Sequence, residues 1–316
     1  MQVNKARYLI LGGSGFIGKN ICEFLRAKGH AVVGTGFSSL NSDWKLDLTS
    51  YIQIESLLKL GSFDYVIMAA AKTYGIDISA KTPEAMVREN IIMNVNTLDA
   101  CLKAGIKKVL FISSSTVYQD LKYSEVLKEE QLDLNKDPYF LYQGVGWVKR
   151  YTEQLCKFYY SRGLKSVVVR PTNIYGKYDS YREGTSHFIP AIVKRALNKE
   201  DPFKVWGTGN VQKDYIHVDD FIRDSMDLFE IYNTPDPVNI CSGRVYTVKE
   251  AVDIILRECR YVVKTQYDTT KLDSPALRIL SKIKFKSILG LRNYIPLEEG
   301  VYDVINWISE DMKDKE

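Results

Sequence analysis

The chain has 316 residues and a formal net charge of +4. Its length allows about two domains of roughly 150 residues each. With 45% hydrophobic and 26% charged residues, the composition is that of a globular protein and excludes a disordered scaffold. The small positive excess is compatible with a phosphate-bearing ligand, but it indicates no nucleic-acid footprint.

The five cysteines and three histidines set further limits. The cysteine count is odd and no two form a C-x-x-C pair, so we interpret them as buried thiols in a reducing compartment. So few histidines argue against a His-rich site, and we predict no metal. The sequence shows no signal-peptide pattern and no apolar stretch of about 20 residues, so we expect a soluble cytoplasmic protein.

The first 170 residues alternate short β-rich runs with helical patterns. This alternation is typical of parallel βαβ units, and it predicts an α/β fold with a doubly wound parallel sheet of the Rossmann type. In chain order, the pattern predicts strands over 8–11, 31–33, 65–68, 108–112 and 166–170, and helices over 16–28, 83–104 and 147–160.

After Pro171 the pattern changes to turn-rich segments around isolated helices. We predict helices over 188–198, 218–232 and 248–257, followed by a basic stretch over 271–286. This part is expected to form a smaller lobe. The predicted division assigns residues 1–171 with 205–230 to the sheet domain, and residues 172–204 with 231–316 to the lobe.

Residues 12–18, GGSGFIG, follow the first predicted strand and open the first predicted helix. Glycines at this spacing let the backbone turn tightly and approach a pyrophosphate, which the N–H groups of the helix start can bind. An ordinary glycine-rich turn is the alternative. We predict a dinucleotide-binding loop with contacts from Gly12, Gly15, Phe16, Ile17 and Gly18.

The end of the second strand bears on the choice of cofactor. NAD sites usually carry an acid there, but the expected position is Gly36. No arginine replaces it to pair with a 2′-phosphate, and Ser14 stands where NADP sites often have a basic residue. The sequence therefore favours NAD over NADP. Asp47 is either an adenine contact or the carboxylate of a turn.

Three further segments carry a family resemblance: residues 111–118 (FISSSTVY), 149–153 (KRYTE) and 170–176 (RPTNIYG). With the glycine loop and residues 214–220 (DYIHVDD), they make nearly the whole chain resemble the extended short-chain dehydrogenase/reductases, also called NAD-dependent epimerases/dehydratases. Within them, the GDP-L-fucose synthase-like branch is the most similar. The resemblance implies hydride transfer at a sugar carbon, usually C4, and a homodimer through helices 83–104 and 147–160.

The resemblance assigns the catalytic positions. Ser114 would hydrogen-bond the reacting oxygen, and Lys149 would lower the pKa of a catalytic tyrosine and hold the cofactor, beside Ala70. A backbone-capping serine and a solvated lysine are the alternative interpretations. The tyrosine should stand four residues before Lys149, but that residue is Val145, which has no proton to give.

Three explanations of Val145 remain open. The chain is an engineered inactive variant, a natural enzyme with another acid–base group, or a binding protein that no longer catalyses. The candidates for another group are Tyr142, otherwise a half-buried loop aromatic, and His187, otherwise a helix-start histidine bonded to backbone.

The resemblance also assigns a substrate site for a nucleotide diphosphate-sugar, with GDP the expected nucleotide. Thr116 stands where double epimerisation uses a cysteine, and no Asp-Glu pair is present for dehydration. Single-carbon oxidation or reduction, or C4 epimerisation, is therefore expected on a hexose or heptose. A catalytically silent binding protein is the alternative. Lys213 replaces a usual arginine, and Trp206 contacts the base or lies in the lobe core. The predicted substrate contacts are Thr116, Asn173, His187, Arg195, Trp206, Lys213 and Arg278.

Overall fold

The computed structural model describes residues 5–38, 42–72, 83–119, 126–271 and 279–314. A parallel sheet of seven strands lies at its centre, in the order β10-β6-β5-β4-β1-β2-β3, which confirms the predicted doubly wound α/β fold. The strands are β1 Arg7–Leu11, β2 Ala31–Gly36, β3 Trp44–Lys45, β4 Tyr65–Met68, β5 Lys108–Ile112, β6 Lys165–Pro171, β7 Asn173–Tyr175, β8 Phe203–Trp206, β9 Gln212–His217, β10 Val238–Ile240, β11 Val245–Thr247 and β12 Thr265–Asp268.

Helices cover both faces of this sheet, and the central strands are therefore continuous apolar runs. In β5, all five residues are buried. One face packs against α1 and α6 around Ile21 and Phe221, and the other packs against α2, α3 and α4 around Leu57 and Leu98. The helices are α1 Phe16–Ala27, α2 Tyr51–Gly61, α3 Pro83–Lys103, α4 Gln143–Ser161, α5 Phe188–Leu197, α6 Val218–Ile231, α7 Val248–Glu258, α8 Ile283–Leu289 and α9 Leu297–Lys313.

The lobe has its own apolar core. Helices α5, α7 and α9 meet around Val193, Val252 and Val301. Two small sheets complete it, β11-β9-β7 and β12-β8. Strand β9 packs there although it falls within residues 205–230, which the sequence assigned to the sheet domain. Helix α7 starts at a capping box, in which Thr247 accepts from the N–H of Glu250 and the Glu250 carboxylate accepts in return from the N–H of Thr247.

Several predicted boundaries are wrong. Helix α4 begins at Gln143 instead of residue 147, so Val145 lies inside the helix. Strand β2 continues to Gly36 instead of ending at residue 33, because pairing with β1 and β3 holds its glycines extended. Helices α2, α8 and α9 and strands β3 and β7 to β12 were not predicted.

Strand β10 belongs to the central sheet, where it pairs with β6, although it falls within the segment that the sequence assigned to the lobe. The domain division itself stays a proposal. Across the described parts of the chain, no helix combines the length and the apolar character needed to cross a membrane. The thiols are free and buried except for Cys259, which is half-buried; the others are Cys22, Cys101, Cys156 and Cys241.

Candidate functional site

The glycine loop between β1 and α1 has no space for side chains at positions 12, 13 and 18. Gly12 has φ +81°, and a Cβ on it would lie 2.7 Å from the Cα of Ala70. A Cβ on Gly13 would lie 2.5 Å from the Cα of Gly34, and one on Gly18 would lie 2.1 Å from the carbonyl oxygen of Gly12. The loop is thus packed against β2 and the segment after β4, which places the start of α1 at the carboxyl edge of the sheet.

Free backbone donors follow directly in the first turn of α1. Gly15 is the N-cap residue, and its carbonyl accepts from the N–H of Lys19 at 2.9 Å. This is the first bond of the helix, so the N–H groups of Phe16, Ile17 and Gly18 have no acceptor within it. They lie at the positive end of the helix dipole. A loop with glycine at positions 12, 13, 15 and 18 beside free N–H groups fits a dinucleotide pyrophosphate. A bound nicotinamide dinucleotide would donate or accept a hydride here.

The end of β2 has no room for the acid of an NAD site. A Cβ on Gly36 would lie 2.5 Å from Ser14 Oγ, so the Ser14 side chain fills the space that a carboxylate at position 36 would need. The nearby acid, Asp43, is already engaged: its Oδ2 accepts from the N–H of Gly34 at 2.7 Å and pairs with Arg26. Crowding by the Ser14 side chain therefore disfavours an acid at position 36.

Asp47 lies beside this strand end. The N–H of Leu46 donates to the carbonyl of Gly36 at 2.9 Å, which brings the segment next to β2. Asp47 Oδ1 accepts from the N–H of Thr49 at 2.9 Å and from its hydroxyl at 2.7 Å. These bonds form an Asx turn. The adenine contact of Asp47 stays a prediction.

The carboxyl end of β5 meets the start of α4 at a close backbone approach. The strand leads through Ser114 into a 3₁₀ turn, and Ser114 Oγ accepts from the N–H of Thr116 at 3.1 Å. A Cβ on Gly146 would lie 2.7 Å from the carbonyl oxygen of Thr116 and 2.6 Å from Pro138 Cβ. Glycine therefore lets α4 contact this turn. Thr116 Oγ1 is buried here and has no hydrogen-bond partner among the described residues.

Val145 and Lys149 lie one turn apart on α4, on the same side of the helix. Both are half-buried. Lys149 Nζ donates to the carbonyl of Ile112 at 2.7 Å, which ties the helix to the end of β5. Burial lowers the pKa of Lys149 to about 8, against the opposing charge of Glu153. The structure thus brings Ser114, Val145 and Lys149 to one wall of the candidate site, formed by the end of β5 and the start of α4.

Tyr142 is the N-cap residue of α4, one turn before Val145. Its side chain is half-buried, and its ring centroid lies 6.1 Å from that of Tyr139. Tyr142 therefore stands at the helix start rather than in a separate loop. Its role in proton transfer stays a prediction.

A buried ion pair lies next to this wall and stabilises it. Arg170 Nη2 lies 2.7 Å from Glu153 Oε2, and the two side chains are 3% and 1% exposed. Ser113 Oγ donates to Glu153 Oε1 at 2.5 Å, and Arg170 Nη1 donates to the hydroxyl of Tyr118 at 2.9 Å. The pair therefore ties β5, β6 and α4 together.

His187 is the N-cap residue of α5, but its side chain does not cap the helix. Its Nδ1 lies 2.7 Å from Asp179 Oδ1; the Asp179 side chain is 1% exposed and that of His187 is 64% exposed. This hydrogen bond raises the pKa of His187, and burial raises the pKa of Asp179. The partner of the imidazole is thus a buried carboxylate and not, as one sequence interpretation had it, the backbone.

Two predicted substrate residues are neighbours on paired strands. Asn173 on β7 pairs with Tyr215 on β9, two residues after Lys213. Asn173 Nδ2 donates to the carbonyl of Asp214 at 2.8 Å. Lys213 is half-buried and pairs in register with Tyr246.

The other predicted substrate residues lie elsewhere in the lobe. Trp206 is 59% exposed at the end of β8, so it does not belong to the core. Arg195 is held by Glu200 through two bonds of 2.7 Å and donates to the carbonyl of Lys204 at 2.6 Å. Its contact with a phosphate stays a prediction. Arg278 lies outside the described residues.

Two residues that organise the site were not predicted from the sequence. Asp179 lies in an irregular turn, where no periodicity marks a buried carboxylate. Asn20 is buried in α1, and its Nδ2 donates to the carbonyls of Phe16 at 2.9 Å and Lys177 at 2.8 Å. A signal for Asn20 existed, since it interrupts the apolar stripe of an amphipathic helix.

Comparison with known proteins agrees with this architecture. The model of the NAD dependent epimerase/dehydratase family matches residues 8–241, from the first strand to the end of β10. The chain belongs to this family. The match includes the glycine cradle, the Ser114 turn and the α4 segment with Lys149, which are the parts that the geometry brings together.

Individual members of the epimerase/dehydratase family are similar over the full chain. GDP-L-fucose synthase of Escherichia coli (strain K12) is 27% identical, covering 98% of this chain and 98% of its own length. GDP-L-colitose synthase of Yersinia pseudotuberculosis is 26% identical, covering 93% and 95%. A solved GDP-6-OMe-4-keto-L-xylo-heptose reductase from C. jejuni superimposes with a TM-score of 0.88 at 20% identity, covering 98% and 99%, which shows the shared fold.

Proposed function

We propose that this protein is an NAD(P)-dependent oxidoreductase that transfers a hydride at one carbon, most simply C4, of a GDP-linked hexose or heptose. The observation that carries the proposal is the wall at the end of β5, where Lys149 Nζ reaches the Ile112 carbonyl at 2.7 Å beside Ser114. The names of the relatives, GDP-L-fucose synthase and GDP-L-colitose synthase, support a GDP-sugar substrate.

Different residues would bind the dinucleotide, act on the sugar and bind the nucleotide part of the substrate. The cradle at Gly12 and the start of α1 would hold the dinucleotide, and Lys149 would bond the ribose next to the nicotinamide. Ser114 would donate a hydrogen bond to the sugar oxygen that changes charge, since its hydroxyl proton is not used by the turn it caps. Asn173, Lys213 and the exposed Trp206 would bind the nucleotide part.

Thr116 supports chemistry at a single carbon. Removing a proton from carbon next to a carbonyl needs a base, and a threonine hydroxyl is too weak an acid to supply its alkoxide. We therefore expect no epimerisation at C3 or C5. Incubating the keto-sugar in deuterium oxide and finding deuterium at either carbon by NMR would contradict this expectation.

A second candidate function is a silent protein that binds the dinucleotide and the nucleotide-sugar without turnover. The observation in its favour is Val145, half-buried in the first turn of α4 where a proton donor is expected. The retained Lys149 and Ser114 favour the enzyme instead, because a binding protein needs neither for proton transfer.

The deciding experiment is a hydride-transfer assay, followed at the nicotinamide absorbance band, with GDP-sugars as substrates. The chain would be compared with Val145→Tyr and with Lys149→Met as the inactive control. Turnover by the unchanged chain supports the enzyme. Turnover by Val145→Tyr alone supports the silent protein, and turnover by neither, with both cofactors, contradicts the proposed reaction.

We also propose a homodimer through α3 and α4. Helix α4 presents an exposed aromatic face with Trp147, Tyr151 and Phe158, which are 39%, 47% and 51% exposed. Such a face on the outside of a helix is typical of a protein interface. Sedimentation velocity should give a dimer, and Phe158→Asp should give a monomer; a monomeric unchanged chain would contradict the proposal. The preference for NAD and the cytoplasmic location stay predictions.

A further inference from the structure

We propose that Asp179 is a positioning residue that holds His187 by Nδ1 and leaves Nε2 as the proton-transfer atom of the sugar site, in place of the tyrosine missing at Val145. The inference rests on the proposed function and assigns one of its steps. It joins two features that the sequence left separate, an exposed histidine and a carboxylate buried beneath it.

The geometry of the pair is that of an oriented imidazole. Asp179 Oδ1 lies 2.7 Å from His187 Nδ1, and Asp179 is buried while the imidazole projects from the surface of the lobe. A carboxylate accepts the Nδ1–H, so the neutral imidazole carries its lone pair on Nε2 and the imidazolium carries a transferable proton there. Nδ1 is thereby removed from competition with the substrate.

The loop that carries Asp179 is fixed on the cofactor side. Buried Asn20 of α1 donates to the carbonyl of Lys177 at 2.8 Å. The next residue, Tyr178, has φ +71° and donates its hydroxyl to Glu23 of α1 at 2.6 Å. Lys19 Nζ lies 3.8 Å from the Tyr178 ring centroid. The helix that begins at the glycine cradle therefore also holds the loop that orients His187.

Asp179 and His187 are each other's charged partners. Within the described ranges, Asp179 is the charged group that acts on His187, and His187 is the charged group that acts on Asp179. Asp179 Oδ2 is buried without a hydrogen-bond partner among the described residues. The backbone N–H of Ser180 also interacts with the carboxylate, so the imidazole is the charged partner of Asp179 but not its sole partner.

The proposed step balances as a ketone reduction. A bound reduced nicotinamide would supply the hydride that adds to the carbonyl carbon, and the π pair of the C=O bond would move to oxygen. The Nε2–H bond of the imidazolium breaks with its electron pair on nitrogen, and the new O–H bond forms. His187 returns neutral with Asp179 still ionised, and it regains a proton from water. Oxidation follows the same path in reverse.

The first test measures positioning without turnover. The chain has three histidines, so His187→Gln assigns the His187 signal in ¹⁵N-detected imidazole NMR. Asp179→Asn should lower the pKa of His187 and mix its tautomers, since the opposite charge and its hydrogen bond are lost. The control is Asp303→Asn, because Asp303 Oδ2 lies 4.0 Å from Nε2 of another histidine, His217. This variant should leave the pKa of His187 unchanged. An unchanged His187 pKa in Asp179→Asn overturns the proposal.

The second test measures the step itself. His187→Gln should reduce kcat by about 10²- to 10⁴-fold, and Asp179→Asn should shift the pH profile of kcat to lower pH. The double variant should lose little more than His187→Gln alone, because the two residues act as a unit. A Tyr142→Phe variant that loses as much as His187→Gln assigns the proton to Tyr142 and overturns the proposal. If the unchanged chain transfers no hydride, the proposed function fails, while the NMR result still decides the role of Asp179.

Discussion

The buried pair of Glu153 and Arg170 leads to a prediction of stability. Glu153→Gln preserves the shape and the acceptor for Ser113, but it leaves the Arg170 guanidinium, 3% exposed, without a counter-charge. Removing one partner of a buried ion pair costs about 3–5 kcal/mol. Since the entropy of unfolding is about 2.1 cal/mol/K per residue, this cost lowers the Tm of a chain of 316 residues by about 5–8 °C.

Urea unfolding followed by circular dichroism, together with a thermal scan, measures this loss. The matched control is Glu55→Gln in the exposed pair with Lys59, where Nζ and Oε2 are 3.1 Å apart; it should cost about 0.3–0.5 kcal/mol. A loss below about 1 kcal/mol for Glu153→Gln, or equal losses for both variants, would refute the reasoning that burial of the pair makes its charge balance essential.

Three further predictions test the site. Gly12→Ala should weaken dinucleotide binding by at least about 10-fold in a fluorescence titration, while Gly29→Ala, with similar φ but no atom within 4 Å of its Cβ, should keep the affinity at a similar conformational cost. Trp206→Ala should raise the Kd for GDP in calorimetry by about 5- to 100-fold through lost stacking, and Trp44→Ala, also exposed, should not. Lys149 has its pKa lowered from 10.5 to about 8, so the cost of burying its charge is present at pH 7 and fades as the pH rises toward 10.5. The free energy of unfolding of Lys149→Met, relative to that of the unchanged chain, should therefore be about 2–3 kcal/mol higher at pH 7 than at pH 10 in urea unfolding. The same difference between the two chains at both pH values would contradict the lowered pKa.

The central strands could be predicted because burial on both faces of a parallel sheet demands continuous apolar runs. The edge strands could not. β3 has two exposed residues, Trp44 and Lys45, and only their pairing with β2 makes them a strand. The start of α4 was placed too late because Gly144 and Gly146 are poor helix formers. The contact of α4 with the Thr116 turn overrides that propensity.

The candidate site likewise contains residues that local sequence patterns predict and one that they do not. Lys149 was found from the family resemblance of residues 149–153, and the glycine cradle from its position between strand and helix, because both patterns are local. Asp179 precedes His187 by eight residues in an irregular turn, and the fold alone brings the two within 2.7 Å. A contact set by the path of a loop has no sequence period, so sequence reasoning could name the imidazole but not the carboxylate.

The packing of Ser14 against Gly36 constrains how cofactor choice could evolve or be redesigned. A side chain at position 36 starts 2.5 Å from Ser14 Oγ and 3.1 Å from Ser42 Cβ, so an acid introduced there requires the Ser14 hydroxyl to rotate and Ser42 to shift. An acidic ribose site therefore depends on both neighbours of Gly36, and the side chain at position 14 sets how well an acid at position 36 is tolerated.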